Sequence, residues 1–271
     1  MNGRENGLLF SIEFKWRPGC KLDHPFIARV SGHVGLSKAD VRSFGAMFES
    51  DLTLRRGHDL VIEGVECRNL YFVKDGCAIR YRLLRNSKRQ IVSVLLPGDV
   101  AGLLGSFFDR AAYSVTATTD LVVNRCSLES YFQFCHARPQ FALALSWVAM
   151  REAAINAEHI VNLGRRTPIE RLSHFLLDVQ GRLRSVGRAN DKSFVLPFSQ
   201  HVMADVLGLS VPHLNKMMQQ LRSSKLIADE DRHVRFIDME ALRELAHYQL
   251  REPASIPKFN AARINDTAAV V

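Results

Sequence analysis

The chain has 271 residues, 47% of them hydrophobic and 24% charged, so it is globular and long enough for two domains rather than one. Its formal net charge of +8 leans toward a polyanionic partner. No run approaches the ~18 uninterrupted apolar residues of a membrane span, and Glu5 and Glu13 interrupt the start where a secretory signal needs an apolar core, so the expected location is the cytoplasm. Five cysteines, Cys20, Cys67, Cys77, Cys126 and Cys135, stand apart with no CxxC pair, which reads as reduced thiols and argues against zinc or a disulfide framework. Thiol sensing through Cys20, Cys67 or Cys77 stays open, although the two in strands read as buried and inert.

Residues 1–30 contain Arg17-Pro18-Gly19 and Asp23-His24-Pro25 and read as an N-terminal extension with little regular structure. Ser37 is placed to cap an amphipathic helix over 38–48, with Val41, Phe44 and Phe48 on one side. From 51 to 126 the hydrophobic period is two. Leu70-Tyr71-Phe72-Val73 is a strand, and Lys74-Asp75-Gly76 reads as a hairpin turn. Over 77–84, Cys77, Ile79, Tyr81 and Leu83 form a buried face, with Ala78, Arg80 and Arg82 on a wet one. Strands at 91–96, 113–119 and 121–126, with a tight turn at Pro97-Gly98-Asp99, complete an antiparallel roll or barrel.

Past a short helix capped by Ser127, the period returns to 3.6. Between 140 and 163, Leu143, Trp147, Met150, Ala154, Ala157 and Val161 form one apolar seam, and Phe141, Leu145, Val148 and Ile155 a second. Two apolar faces need two partners, taken as the roll and the same helix of a second subunit. The alternative is a helix buried within one chain. Gly164-Arg165-Arg166 interrupts the helix as a candidate hinge, and Thr167-Pro168 starts the next one.

The most specific stretch is 196–238. Ser199 to Leu207 reads as one short helix, Gly208-Leu209-Ser210 as a turn, and Val211 to Arg222 as a second helix capped by Ser210. Leu214, Met217, Met218 and Leu221 give its buried face, leaving Pro212, Asn215, Lys216 and Gln219 outward. Asn can bond adenine N6 and N7 together and Lys can reach guanine O6 and N7, so the row has the chemistry of base reading. A solvated helix face is the alternative. The base-reading candidates are Val211, Pro212, His213, Asn215 and Lys216, and the phosphate candidates are Ser199, Gln200, His201, Ser210 and Gln219. Residues 226–228 and 234–237 flank a turn and make a wing, Asp238 caps a closing helix, and 251–271 reads as a disordered tail.

The order of roll, long helix, hinge and winged helix-turn-helix resembles the Crp/Fnr family of bacterial transcription regulators over residues 50–248. The carrying motifs are Gly57…Glu63-Gly64, Leu70-Tyr71-Phe72-Val73…Gly76, and Pro97-Gly98-Asp99-Val100-Ala101-Gly102. In the reader they are Met203-Ala204-Asp205-Val206-Leu207-Gly208-Leu209-Ser210 and His213-Leu214-Asn215-Lys216, which are similar to the Fnr/FixK side of the family. The resemblance implies an α+β protein with a cyclic-nucleotide-binding-like β-roll over 31–137. A dimerisation helix and hinge follow at 138–164, then a winged helix-turn-helix domain over 165–250. It also implies a homodimer on a palindromic double-stranded DNA site, contact with RNA polymerase, and an effector pocket around Gly98, Asp99, Gly102, Leu103, Leu104, Gly105, Tyr113 and Ser114.

Departures from the family pattern bear on the effector. Cyclic-AMP-binding members carry Gly-Glu-x-Gly and then Arg-Ser, where this chain has Gly102-Leu103-Leu104-Gly105 and Tyr113-Ser114. A leucine cannot accept a ribose hydroxyl, and a buried phosphate without the arginine is uncompensated, which argues against cyclic AMP. A lone Cys20 argues against the N-terminal iron–sulfur cluster of oxygen-sensing members. Cyclic-AMP-type readers also begin recognition with Arg-Glu and place Arg a turn later, where this chain has Val211, Pro212 and Lys216. Two other readings compete: a constitutive regulator whose roll is only a dimer scaffold, and a small-barrel metal-dependent enzyme. The histidines form no H-x-H strand pair, which disfavours the enzyme.

Overall fold

The computed structural model describes residues 24–85, 89–103, 108 and 110–248. Helix α1 (Pro25–Val30) lies inside the stretch expected to be irregular. His24 accepts the Phe26 N–H at 3.1 Å as an N-cap and Pro25 supplies the preset φ of a first turn. Phe26, Ile27, Arg29 and Val30 are all buried, so helix 24–30 belongs to the sensor core and the expected extension cannot include it. Ser37 caps α2 (Lys38–Ser43) in a reciprocal box with Asp40. Its continuation, Phe44–Met47, tightens into a 3₁₀ turn at Gly45 instead of running on to residue 48.

Eight strands make two four-stranded antiparallel sheets. The first has the order β1 (Ser50–Leu54), β8 (Leu121–Ser127), β3 (Asn69–Asp75), β6 (Val100–Ala101); the second has β2 (Asp59–Val61), β7 (Ser114–Ala117), β4 (Ala78–Leu83), β5 (Arg89–Leu95). The expected hairpin at Lys74-Asp75-Gly76 is not one. β3 pairs with β8 and β6, whereas β4 pairs with β5 and β7, so the turn carries the chain from one sheet to the other. Gly76 has φ 78°, and a Cβ there would stand 2.0 Å from the Asp120 carbonyl oxygen, so only glycine lets the chain pass.

β4 also departs from the alternating inside–outside reading. Its Ile79 packs with Cys77, Ile91 and Val94 outside the roll against the C-terminal domain, while Ala78 and Arg80 point to the roll interior. Both faces are covered as far as Arg80, which is 1% exposed although expected in water, whereas Leu83, expected on the buried face, is 58% exposed where the strand runs out past the domain contact.

Helix α3 (Leu128–Ala137) leads into α4 (Gln140–Gly164), and Thr167 with Glu170 forms the capping box of α5 (Pro168–Arg184). The C-terminal domain continues with β9 (Ser193–Val195), α6 (Gln200–Leu207), α7 (Val211–Ser223), β10 (Ile227–Glu230), β11 (His233–Phe236) and α8 (Met239–Leu245). β9, β10 and β11 form a three-stranded wing sheet.

The two halves meet at Asp99. Its carboxylate accepts the Leu96 N–H at 2.8 Å and pairs with Arg29 of α1 at 3.2 Å, with Arg182 of α5, and with Arg151 of α4 at 3.9 Å. Arg182 also donates to the Val94 carbonyl at 2.8 Å, and Arg29 to the Pro97 carbonyl at 2.5 Å. Burial by itself raises the Asp99 carboxyl pKa, but Arg182, Arg29 and Arg151 outweigh it and hold the group at about 2. That value lies below the unfolded carboxylate range, so the stabilisation is complete above roughly pH 4 and fades as pH falls toward 2. Asp99→Ala strands the arginines and is expected to cost about 3–5 kcal/mol in urea unfolding at pH 7. The gap between variant and parent should narrow on acidification.

Candidate nucleic-acid interface and sensor pocket

The reader is built by local capping. Ser199 Oγ accepts the Val202 N–H at 3.3 Å to start α6, and Ser210 Oγ accepts the His213 N–H at 3.4 Å to start α7. Gly208 ends α6 at φ 64°, the left-handed position expected for it. Its neighbours are the Leu163 and Arg171 side chains, at 3.4 and 3.5 Å from a built Cβ, rather than the second helix. Arg171 Nη1 donates to the Leu207 carbonyl at 2.8 Å, which ties α5 to the end of α6.

Leu214, Met217, Met218 and Leu221 of α7 are buried in the domain core. The opposite face carries Pro212, His213, Asn215, Lys216 and Gln219, all exposed. Val211, at the start of the same helix, is half-buried and packs on the core. Gln200, His201 and Ser210 are exposed beside this row, and Ser199 is half-buried. Sequence reasoning passed over Lys225 and Arg235. Arg235 and His233 are exposed on β11, alternating with buried Val234 and Phe236, a period-two signal that was available. Lys225 sits exposed at φ 56° between α7 and the wing. Arg222 pairs with Asp229 at 2.8 Å and so fastens α7 to β10.

The expected effector pocket does not assemble as one cavity lining. Gly98 packs on α1, where a Cβ would stand 2.7 Å from Arg29 Nε, and Asp99 is spent on the arginine junction. A Cβ on Gly102 would meet the Asn69 carbonyl at 2.2 Å, and Leu103 packs into the core around α1. Leu104 and Gly105 lie outside the described residues. Tyr113 faces the roll interior, whereas Ser114 stands opposite Tyr81 on the other face of the sheet, where its Oγ accepts the Glu63 N–H at 3.0 Å.

What occupies that interior is Arg80. Its guanidinium lies 4.5 Å from the Tyr113 ring centroid, donates to Ser93 Oγ at 3.2 Å and pairs with Glu152 of α4. The gap beside Glu152, between β5 and α4, holds about 20 Å³, against the ~300 Å³ or more of ordinary ligand pockets. A cyclic phosphate entering the roll interior would find the Arg80 guanidinium already paired with Glu152. Cys67, in the loop before β3, and Cys77, just ahead of β4, lie outside the strands expected to hold them, and both are poor reactants, since burial pushes Cys77 up to about 12 and raises Cys67.

On α4, Phe141, Leu145 and Val148 are buried, as expected of the roll-facing seam. The other seam divides. Trp147 is buried within the chain, its indole stacked on His33 at 4.6 Å, and Leu143 is half-buried. Met150, Ala154, Ala157 and Val161 are exposed, together with Ser146, Ala153, Ile160 and Gly164 at three- and four-residue spacing.

Residues 170–245 match the Crp-like helix-turn-helix domain, and residues 51–138 the cyclic nucleotide-binding domain. The chain is 30% identical over 197 residues to the nitrogen fixation regulation protein FixK of Rhizobium meliloti (strain 1021), covering 72% of this chain and 86% of that protein. It belongs to the Crp/Fnr family. The transcriptional activator FnrA of Stutzerimonas stutzeri is 24% identical over 215 residues, 79% of this chain and 87% of that one. The structure of FixK2 from Bradyrhizobium japonicum superposes with a TM-score of 0.65 at 26% identity, covering 72% of this chain and 96% of that one. The protein is therefore a Crp/Fnr transcription regulator with an α+β fold and a helix-turn-helix reader.

The ion pair that closes this Crp/Fnr roll is testable. Glu152→Leu leaves Arg80 buried and uncompensated and should cost about 3–5 kcal/mol, whereas adding Arg80→Met recovers most of the loss. Denaturant melts of the two variants against the parent measure both.

Proposed function

We propose that the chain is a cytoplasmic homodimer that binds a palindromic double-stranded DNA site and contacts RNA polymerase from it. The exposed row Pro212, His213, Asn215, Lys216 and Gln219, set over a fully buried opposite face of α7, carries this reading. Asn215 and Lys216 read base edges, with Pro212 and His213 beside them. Gln200, His201, Ser210 and Gln219, with the Ser199 hydroxyl, hold phosphates and fix register. Lys225 and Arg235 add wing contacts to the backbone. The exposed stripe of α4 from Ser146 to Gly164 is small and apolar, which supports pairing with the same helix of a second chain. Two readers so paired fall on half-sites about 34 Å apart. Relatives that are transcription regulators support a binding rather than a catalytic role.

The break in helix between Gly164 and Pro168 supports the hinge at Gly164-Arg165-Arg166, about which the reader would swing relative to α4. A second reading, in which the roll is a ligand-independent scaffold, is favoured by one observation: Glu152 already satisfies the Arg80 cation in the roll interior.

Selection from a random DNA pool should return a palindrome. Lys216→Ala is expected to weaken binding to it by ~1–3 kcal/mol and relax preference at one base pair of each half-site. Equal binding of selected and scrambled duplexes by the parent sinks the assignment. Met150→Glu with Ala157→Glu should yield monomers in analytical ultracentrifugation and lose affinity for the full palindrome much more than for a single half-site.

A further inference from the structure

A cleft of about 1010 Å³ opens between α4, β5, α5 and the residues after α8, and on α4 its rim shares Ser146, Met150 and Ala154 with the stripe proposed for a partner chain. Its walls combine two chemistries. Trp147, Phe175 and Tyr248 supply aromatic surface, and Arg29, Arg151 and Arg182 supply cations. The cations outnumber the anions that face them. Asp99 and Asp178 answer three guanidinium groups, Asp178 pairing with Arg182 at 3.3 Å. The other wall charges are matched, Arg166 with Glu158 at 3.0 Å and Arg184 with Asp191 at 2.7 Å. Arg151 is the least engaged of the three, 3.9 Å from Asp99, and among the described residues the buried Nε atoms of Arg29 and Arg182 have no acceptor. A buried cation surplus next to a roomy, partly aromatic cavity is stabilised by an anion that brings its own apolar body.

We infer that this cleft binds a small organic anion, an aromatic or heterocyclic body bearing a phosphate or carboxylate, whose charged end is held by Arg151 beside the Arg29–Arg182 pair. The site is separate from the roll interior closed by Arg80 and Glu152. Because it touches α1, α4 and α5 together, an occupant would favour one setting of the reader on the sensor. That regulatory consequence rests on the DNA-binding reading; the binding itself does not.

Phenyl phosphate, inorganic phosphate and phenol are the probes, titrated calorimetrically into the full-length protein. Phenyl phosphate should saturate one site per chain and bind at least about ten-fold more tightly than either fragment. Arg151→Gln should weaken it about ten-fold or more while leaving the Asp99 pairs with Arg29 and Arg182 in place. Gly181→Leu should abolish it by filling the cleft. A Cβ at Gly181 meets only Tyr248 Oη, at 3.9 Å, and leucine suits a helix better than glycine, so this variant is expected to fold. Circular dichroism and melting curves matching the parent confirm that both variants are folded. Similar affinity for all three probes, no heat from any of them, or phenyl phosphate binding unchanged in both variants overturns the inference. Selected-palindrome binding, measured separately on the same preparations, tells a failed cleft from a failed regulator.

Discussion

The arrangement of the two halves depends on one buried carboxylate. Asp99 sits on a tight turn of the roll and is reached by Arg29, seventy residues earlier, by Arg151 on the long helix, and by Arg182 in the reader domain. Ions removed from water at this depth are tolerated only with partners in place, so each element must arrive with its guanidinium at one spot. The apolar surfaces around it are less demanding. Ile79, Ile91 and Val94 lie against the same core as Phe175, Leu176 and Val206, and such a surface can slide with little loss. The ions set the register that the apolar contact leaves open.

This joint explains why the first half of β4 and the second half of β5 are covered on both faces. Inside, β4 lays Ala78 and Arg80 toward the roll; outside, Ile79 and its neighbours meet the reader. Arg89 at the start of β5 pairs with Asp205 on α6, so the same hairpin holds the reader through charge at one end and through Arg182 on the Val94 carbonyl at the other. A displacement in this hairpin therefore reaches α6 directly, without passing along α4 and α5.

Much of the local structure was legible because capping and periodicity are local. Ser37, Thr167, Ser199, Ser210 and Asp238 all cap the helices their neighbours predict, and Gly208 takes the left-handed turn. The family likeness was legible for the same reason, through closely spaced motifs. The misreadings share a different origin. Period two tells which residues share a face, not what covers it, so Ile79 was correctly grouped and Arg80 wrongly sent to water. Asp75-Gly76 marks a turn, but only pairing across the sheets decides whether the strands it joins are partners. α1 is a six-residue helix whose stability comes from burying Phe26 and Ile27 under Phe44 and Phe72, a tertiary cause with little sequence trace. In the candidate site, the α7 row was readable from spacing. The fate of Gly98 and Asp99 was not, since it depends on arginines from three distant segments.

α4 is where these constraints meet. Successive residues on a helix point about 100° apart. Met150 is exposed on the stripe assigned to a partner chain, Arg151 turns to Asp99 and the reader, and Glu152 turns to Arg80 inside the roll. Three adjacent side chains thus address three bodies. A small rotation of α4 that improved one contact would misalign the others, and the ionic ones involve largely buried groups whose loss of a partner is costly. Such a helix does not deform gradually; it either holds all three contacts or gives up a set of them together. The Arg80–Glu152 pair and the Asp99 junction are therefore two readouts of one helix position, and whatever moves α4 changes the roll and the reader in the same step.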